Sequence, residues 1–285
     1  MNYNLPKRPE YQHPGRLYIQ EHGIPTTQSG IVHYANYLLV NARQAKFAPV
    51  KLSAIRWHFG IRRDFKVLPA TIQGLTDHEK GKIVINIQDT DGRKRFTEAH
   101  EMIELLYKAC KESPLWERSI FAKVSENRKE QLCHKGAAAI LMPEEPFTRD
   151  MDGAPPSLDR ASRLADFYKT SLTATVHRMV AVSSYPCAMI IWQQPEYNEQ
   201  ENCTHAYEKD TMQVRWAEAS KRMPYISFGQ LTDNKLICSA INDSQTKRGT
   251  EELIFTRGTG LFSIEAKRVT FDNKPYVMSL IHLKK

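Results

Sequence analysis

His100, Glu101 and Glu104 lie within five residues of one another in the stretch Arg95-Phe96-Thr97-Glu98-Ala99-His100-Glu101-Met102-Ile103-Glu104-Leu105-Leu106-Tyr107. The stretch has no Gly or Pro and several strong helix formers, so it predicts a single helix. At 3.6 residues per turn, His100 and Glu104 stack one above the other, with Glu101 about a quarter turn away. Phe96, Ile103 and Tyr107 border the same face, which predicts burial. Buried carboxylates and a buried imidazole need partners. A metal ion is one partner that satisfies all three. The pattern is close to His-Glu-x-x-His, in which the two His bind zinc and the Glu is a general base. Here the fifth position is Glu104. On these five residues alone, an amphipathic helix with an ordinary polar edge is the plainer reading.

A second helix is predicted over residues 126–141, ended with the help of Pro143. Leu132, Cys133, Ala137 and Ile140 give it an apolar face, and the small run Gly136 to Ala139 would let another helix approach closely. Glu130 and His134 are at i and i+4 and share a face. Seen singly, Glu130 reads as a surface charge and His134 as an imidazole at the core edge, bonded to a backbone carbonyl.

The rest of the chain must position these groups. Its 285 residues suffice for one large domain or two ordinary ones. Hydrophobic residues make up 41% and charged residues 25%, the balance of a soluble globular protein. The net charge of +8 permits a nucleic-acid partner without requiring one. The short basic runs Arg93-Lys94-Arg95 and Arg128-Lys129 read as solvated surface. Five widely spaced cysteines without a Cys-x-x-Cys fit free thiols in a reducing compartment. Met1 to Gly15 has no apolar signal core, and no run reaches the roughly 18 apolar residues of a membrane span. These features predict a cytoplasmic protein with no membrane segment, and they leave the oligomeric state open.

Along the chain, residues 1–27 read as irregular because four prolines interrupt them. Helices are expected over 29–45 and from Pro49 to Phe59, with Gly60 as the stop. Gly74 and Gly81 bracket an expected turn. Ile83 to Ile87 reads as a strand, whose edge could hold a substrate backbone by strand addition. Residues 144–157 read as an acidic, Pro-rich loop. Residues 158–182 read as helix, short turn, helix. That arrangement is compatible with a DNA-binding unit, but only His177 and Arg178 offer contacts on the second helix, so direct DNA binding is not expected. From Pro186 the pattern is mostly β. Strands are expected at 187–192, 212–216, 236–238 and 253–255, followed by a hairpin around Asp272-Asn273. Gln193 to Asp210 reads as a long loop.

Taken together, residues 30–180 resemble the ImmA/IrrE family of metallopeptidases that cleave helix-turn-helix repressors. Arg95-Phe96-Thr97-Glu98-Ala99-His100-Glu101 is similar to its Arg-Phe-Thr-x-Ala-His-Glu signature. Glu130-Gln131-Leu132-Cys133 and Ala137-Ala138-Ala139-Ile140-Leu141-Met142-Pro143 are similar to its second-helix signature. Ala48 to Leu52 with Gly60-Ile61, Lys82 to Asn86, and Leu164-Ala165 to Arg178 follow its other blocks in order. Gln213 to Ala217 is similar to an extension found in some members.

The resemblance implies an α+β fold. The expected architecture is a zincin-like N-terminal domain of helices on a small sheet (28–157) and a helix-turn-helix-like segment (158–184), followed, on the strand pattern from Pro186, by a mostly β C-terminal domain (185–285) that could sense a signal or hold the substrate, with no residue there showing which. The resemblance implies His100 as the first metal ligand, Glu101 as general base and Glu130 as the carboxylate ligand of a zinc site that hydrolyses a peptide bond. The substrate would be a helix-turn-helix repressor, cleaved in a stress or mobile-element response. Three positions depart from the family pattern: Glu104 replaces the second His, His134 an Asn and Gly136 a Phe. One outcome is a site of His100, Glu104 and Glu130, a harder donor set that admits manganese or iron. A second has His134 take over the lost imidazole's place, or else orient His100. A third is a metal-free protein that binds a regulator without cutting it.

Overall fold

The computed structural model describes residues 8–195, 211–223, 226, 229–255, 258–271 and 274–284. It divides into two compact units. Met1–Asp150 with Asp166–Ser171 form one, and Met151–Ala165 with Leu172–Lys285 form the other.

The first unit begins with helices α1 (Pro14–His22), α2 (Gln28–Asn41) and α3 (Leu52–His58). A three-stranded mixed sheet follows, of β1 (Arg62–Lys66), β2 (Gly74–Asp77) and β3 (Lys82–Asn86). Then come α4 (Asp91–Glu112), α5 (Glu126–Leu141) and α6 (Glu144–Asp150). α4 starts where Thr90 accepts a hydrogen bond from the Arg93 N–H through its side chain, and α5 where Ser125 does the same for Arg128. The two helices pack against each other, and α2 packs on α5. Gly136 sits at that junction. A Cβ there would lie 2.7 Å from Ile103 Cδ1 on α4 and 3.0 Å from Ile31 Cγ2 on α2, so the small residue sets how closely the three helices approach. This is the close approach expected from the run Gly136 to Ala139.

Helix α1 falls inside the segment expected to be irregular. Pro14 occupies the first helical turn, where its missing N–H costs nothing, so here proline starts a helix. Gly15 lets α1 touch α4: a Cβ would come within 2.6 Å of the Leu105 carbonyl oxygen. His13 caps the helix, its Nδ1 accepting from the Arg16 N–H at 3.3 Å. Burial is the main cause that pushes the His13 pKa down to about 4 from 6.5, with Arg16 adding to it. The unfolded chain therefore binds this proton below about pH 6.5, and the folded protein only near pH 4. The stabilisation is complete above pH 6.5 and is lost as pH falls toward 4. Urea unfolding at pH 7 and pH 4.5 should show an acid loss of about 2–3 kcal/mol from this group. His13→Asn keeps a capping oxygen and should remove that part of the loss. An unchanged pH dependence in His13→Asn would rule out the assignment.

Residues 144–150 form α6 instead of the expected loop. Glu144, Glu145 and Pro146 in its first turn are helix-start residues, and Phe147 is buried against the Tyr168 ring, with centroids 5.2 Å apart. The turn expected between Gly74 and Gly81 lies at 78–81, but Gly74 to Asp77 before it is a strand, and the sheet order is β1-β3-β2. The strand over 83–86 is therefore central, and among the described residues β2 is an edge strand that packs on α4.

The second unit holds most of α7 (Leu158–Tyr168), all of α8 (Leu172–Val182) and a six-stranded antiparallel sheet. Its strands are β4 (Cys187–Gln193), β5 (Met212–Ala219), β6 (Leu231–Thr232), β7 (Lys247–Phe255), β8 (Gly258–Phe271) and β9 (Lys274–Leu283), with α9 (Lys235–Ser239) between β6 and β7. The order is β6-β5-β4-β9-β8-β7. Residues 236–238, expected as a strand, lie in α9. Asn234 caps it through the Ile237 N–H, and Ile237 and Cys238 bury against the sheet core. β8 and β9 form the expected hairpin, while its Asp272-Asn273 tip, the stretch 196–210 and Cys203 lie outside the described residues. The other four cysteines, Cys110, Cys133, Cys187 and Cys238, are buried thiols. Among the described residues no helix is long and apolar enough to cross a membrane.

Candidate metal centre

α4 and α5 bring four of the five singled-out side chains to one place, and β2 covers the fifth. One donor atom each from His100, Glu130 and His134 lie within 4.8 Å of one another. His100 Nε2 is 3.5 Å from Glu130 Oε2, and the His100 and His134 ring centroids are 5.2 Å apart. The one-turn spacing of Glu130 and His134 on α5 presents both to His100 on α4. Burial is the main cause lowering the His100 pKa, against the raising effect of Glu130.

Glu104 is close by, its Oε1 3.8 Å from His100 Nε2, and donor atoms of His100, Glu104 and Cys133 also lie within 4.8 Å of one another. Lys129 Nζ lies 2.7 Å from Glu104 Oε1, 2.9 Å from Glu130 Oε1 and 2.7 Å from Glu126 Oε1. The Cys133 thiol also donates to Glu104 Oε1, at 3.7 Å. Lys129 rests 4.9 Å from the centre of the Tyr107 ring. Burial acts to lower the lysine pKa, but its hydrogen bonds to the three carboxylates outweigh that and raise it. A buried carboxylate thus has its counter-charge from α5 itself.

Glu101 points from the same helix toward β2. Thr76 Oγ1 donates to Glu101 Oε2 at 2.5 Å. Burial is the main cause that raises the Glu101 pKa to about 7, while the Thr76 bond works against it. Gly74 makes room for the carboxylate: a Cβ there would sit 2.7 Å from Glu101 Oε1 and 2.5 Å from Thr97 Cγ2. A cleft of about 390 Å³ opens between the β2 segment and the two helices, with Gly74, Thr76, Phe96, His100, Glu101 and Glu130 on its walls.

Lys129, Thr76 and Gly74 are parts of this site that motif reading missed. For Lys129 a signal existed. It shares the i, i+4 face with Cys133 and the buried stripe through Ala137 and Ile140, and a lysine on an apolar stripe requires a charge partner. For Thr76 and Gly74 there was none, because their role depends on which strand takes the sheet edge.

Residues 61–180 match the model of the peptidase M78 family, described as the IrrE N-terminal-like domain. The resemblance read from the motifs is thereby borne out over those residues. A Mycobacterium tuberculosis transcriptional regulator of known structure shares the fold, with a TM-score of 0.61 over 95% of this chain and 81% of that one, at 12% identity. No curated protein matches the chain.

Proposed function

We propose that the protein is a cytoplasmic, metal-dependent endopeptidase whose metal is held by His100, Glu130 and His134. The observation that carries this reading is the convergence of those three donors within 4.8 Å, which brings two imidazoles to one carboxylate; His100, Glu104 and Cys133 converge as closely but offer one imidazole, and Lys129 pairs with Glu104 and Glu130 alike. Two imidazoles and one carboxylate are a recurrent zinc donor set with an open position. Bonds of about 2.0–2.2 Å put such donors at most about 4 Å apart, so a side-chain shift of about 1 Å closes the set. His134 then supplies the nitrogen that Glu104 removed. Manganese or iron is better suited to the alternative set of His100, Glu104 and Glu130.

Bound there, the metal would supply a water of pKa about 7 and polarise the scissile carbonyl. Glu101, fixed by Thr76, takes the proton from the attacking water and passes it to the leaving amine. The exposed edge of β2 holds the substrate backbone in extended form above Glu101 by strand addition. The substrate class is a helix-turn-helix repressor of a stress or mobile-element response, in keeping with the IrrE-like domain.

A second reading is favoured by Lys129. Its ammonium already bridges Glu104 and Glu130, so the carboxylates have a resident cation without any metal. On that reading the protein binds a regulator and does not cut it. Incubating the protein with helix-turn-helix repressors, with and without EDTA, separates the two. A discrete cleavage product that EDTA abolishes supports the peptidase. Stable complex formation without cleavage, in protein that takes up no metal from added salts, supports the binder.

A further inference from the structure

A second groove, of about 580 Å³, opens in the first unit on residues outside the metal centre. The loop entering α3, strand β1 and the start of α4 form its walls, and the turn after α7 contributes Lys169. Six cationic side chains line it against two carboxylates. One of those carboxylates, Glu98, is committed to Arg56 at 2.6 Å and Arg63 at 2.5 Å. It accepts one bond from each guanidinium, which leaves further N–H donors on both. The other, Asp91, is 3.7 Å from Lys94. Lys51 and Lys169 are exposed.

Two features go beyond a basic surface. Phe47 and Phe65, 59% and 42% exposed, are on the groove wall, and the Arg63 guanidinium lies 4.6 Å from the Phe65 ring centre with Lys94 at 6.0 Å. Arg95 donates through Nη2 to the Val50 carbonyl, but its buried Nε has no hydrogen-bond partner. The Nη2 bond fixes the guanidinium at the groove wall.

We propose that this groove binds a single-stranded nucleic-acid segment. Phosphate oxygens would meet Lys51, Lys94, Lys169 and Arg95, and bases would stack on Phe47 and Phe65. Flat exposed rings beside cations are the platform that single strands use, since every base has a π-face and every linkage a negative charge. The sequence run Arg93-Lys94-Arg95 is then only partly solvated surface, since Lys94 and Arg95 belong to a built site. This differs from groove insertion by the helices at 158–182, and it does not depend on the metal centre.

The test is fluorescence anisotropy of the full chain with a labelled ten-nucleotide oligothymidine, the matching duplex and a labelled poly-glutamate peptide. The single strand should bind most tightly. Reversing two lysines, in Lys51→Glu/Lys94→Glu, should weaken it at least tenfold and reduce the log–log salt slope by about 1.4. Phe65→Ala should weaken it about fivefold or more by loss of stacking, with little change in that slope. Equal binding by wild type and both variants, each with an unchanged melting midpoint, would overturn the proposal. So would poly-glutamate binding as tightly as the oligonucleotide, which would make an acidic protein segment the occupant, or tighter binding of the duplex.

Discussion

Glu101→Gln is expected to lower the rate of repressor cleavage by about 10²–10⁴-fold, the usual contribution of a positioned general base, while leaving metal content unchanged. The carboxylate is held by Thr76 beside the edge strand. Its pKa of about 7, raised mainly by burial, suits a group that must both accept and return a proton near neutral pH. Glutamine fills the same space under Gly74 and still accepts the Thr76 hydrogen bond, but it cannot take a proton. The rate should be read under single-turnover conditions with elemental analysis of the same preparation. Cleavage within a few-fold of wild type in a metal-loaded Glu101→Gln protein would remove Glu101 from the base role.

The second large effect is on stability. Glu98→Ala should cost about 3 kcal/mol, because it strands two guanidinium groups that a buried carboxylate now holds. The Glu98 side chain is 2% exposed and joins α4 to Arg56 on α3 and to Arg63 on β1. Alanine removes both bonds at once and leaves the charges facing each other. Arg63 keeps partial access to water, which limits the penalty to the low end of the range for a broken buried pair. The melting midpoint should fall by roughly 6–12 °C. A change in urea unfolding free energy below about 0.5 kcal/mol would mean that the arginines find other partners, and the pair would then not tie the helix to the sheet.

Much of the site was legible because its residues obey helix periodicity. His100 and Glu101 in one apolar-edged stretch, and Glu130 and His134 one turn apart in another, fix which faces meet once the two helices pack. The paired changes at 104 and 134 were visible as well. Lys129, which the motifs did not single out, pairs with both Glu104 and Glu130. Proline misled twice. In α1 and α6 it stands in the first turn, where it favours a helix, and composition alone does not distinguish that from a loop. Leu236 to Cys238 failed for another reason: three consecutive apolar residues fit a strand or a short buried helix equally well, and the Asn234 cap decided it. The edge role of β2 is a property of sheet order, which no local pattern contains.

The most direct measurement is the metal content of untagged wild-type protein, His134→Ala and Glu104→Ala, each purified without chelator. About one equivalent of zinc is expected in the wild type and in Glu104→Ala, with near-complete loss in His134→Ala. Metal kept by His134→Ala and lost from Glu104→Ala would contradict the assignment and return the site to His100, Glu104 and Glu130. No metal in the wild type, even after incubation with zinc, manganese or iron salts, would leave Lys129 as the cation of a non-catalytic protein.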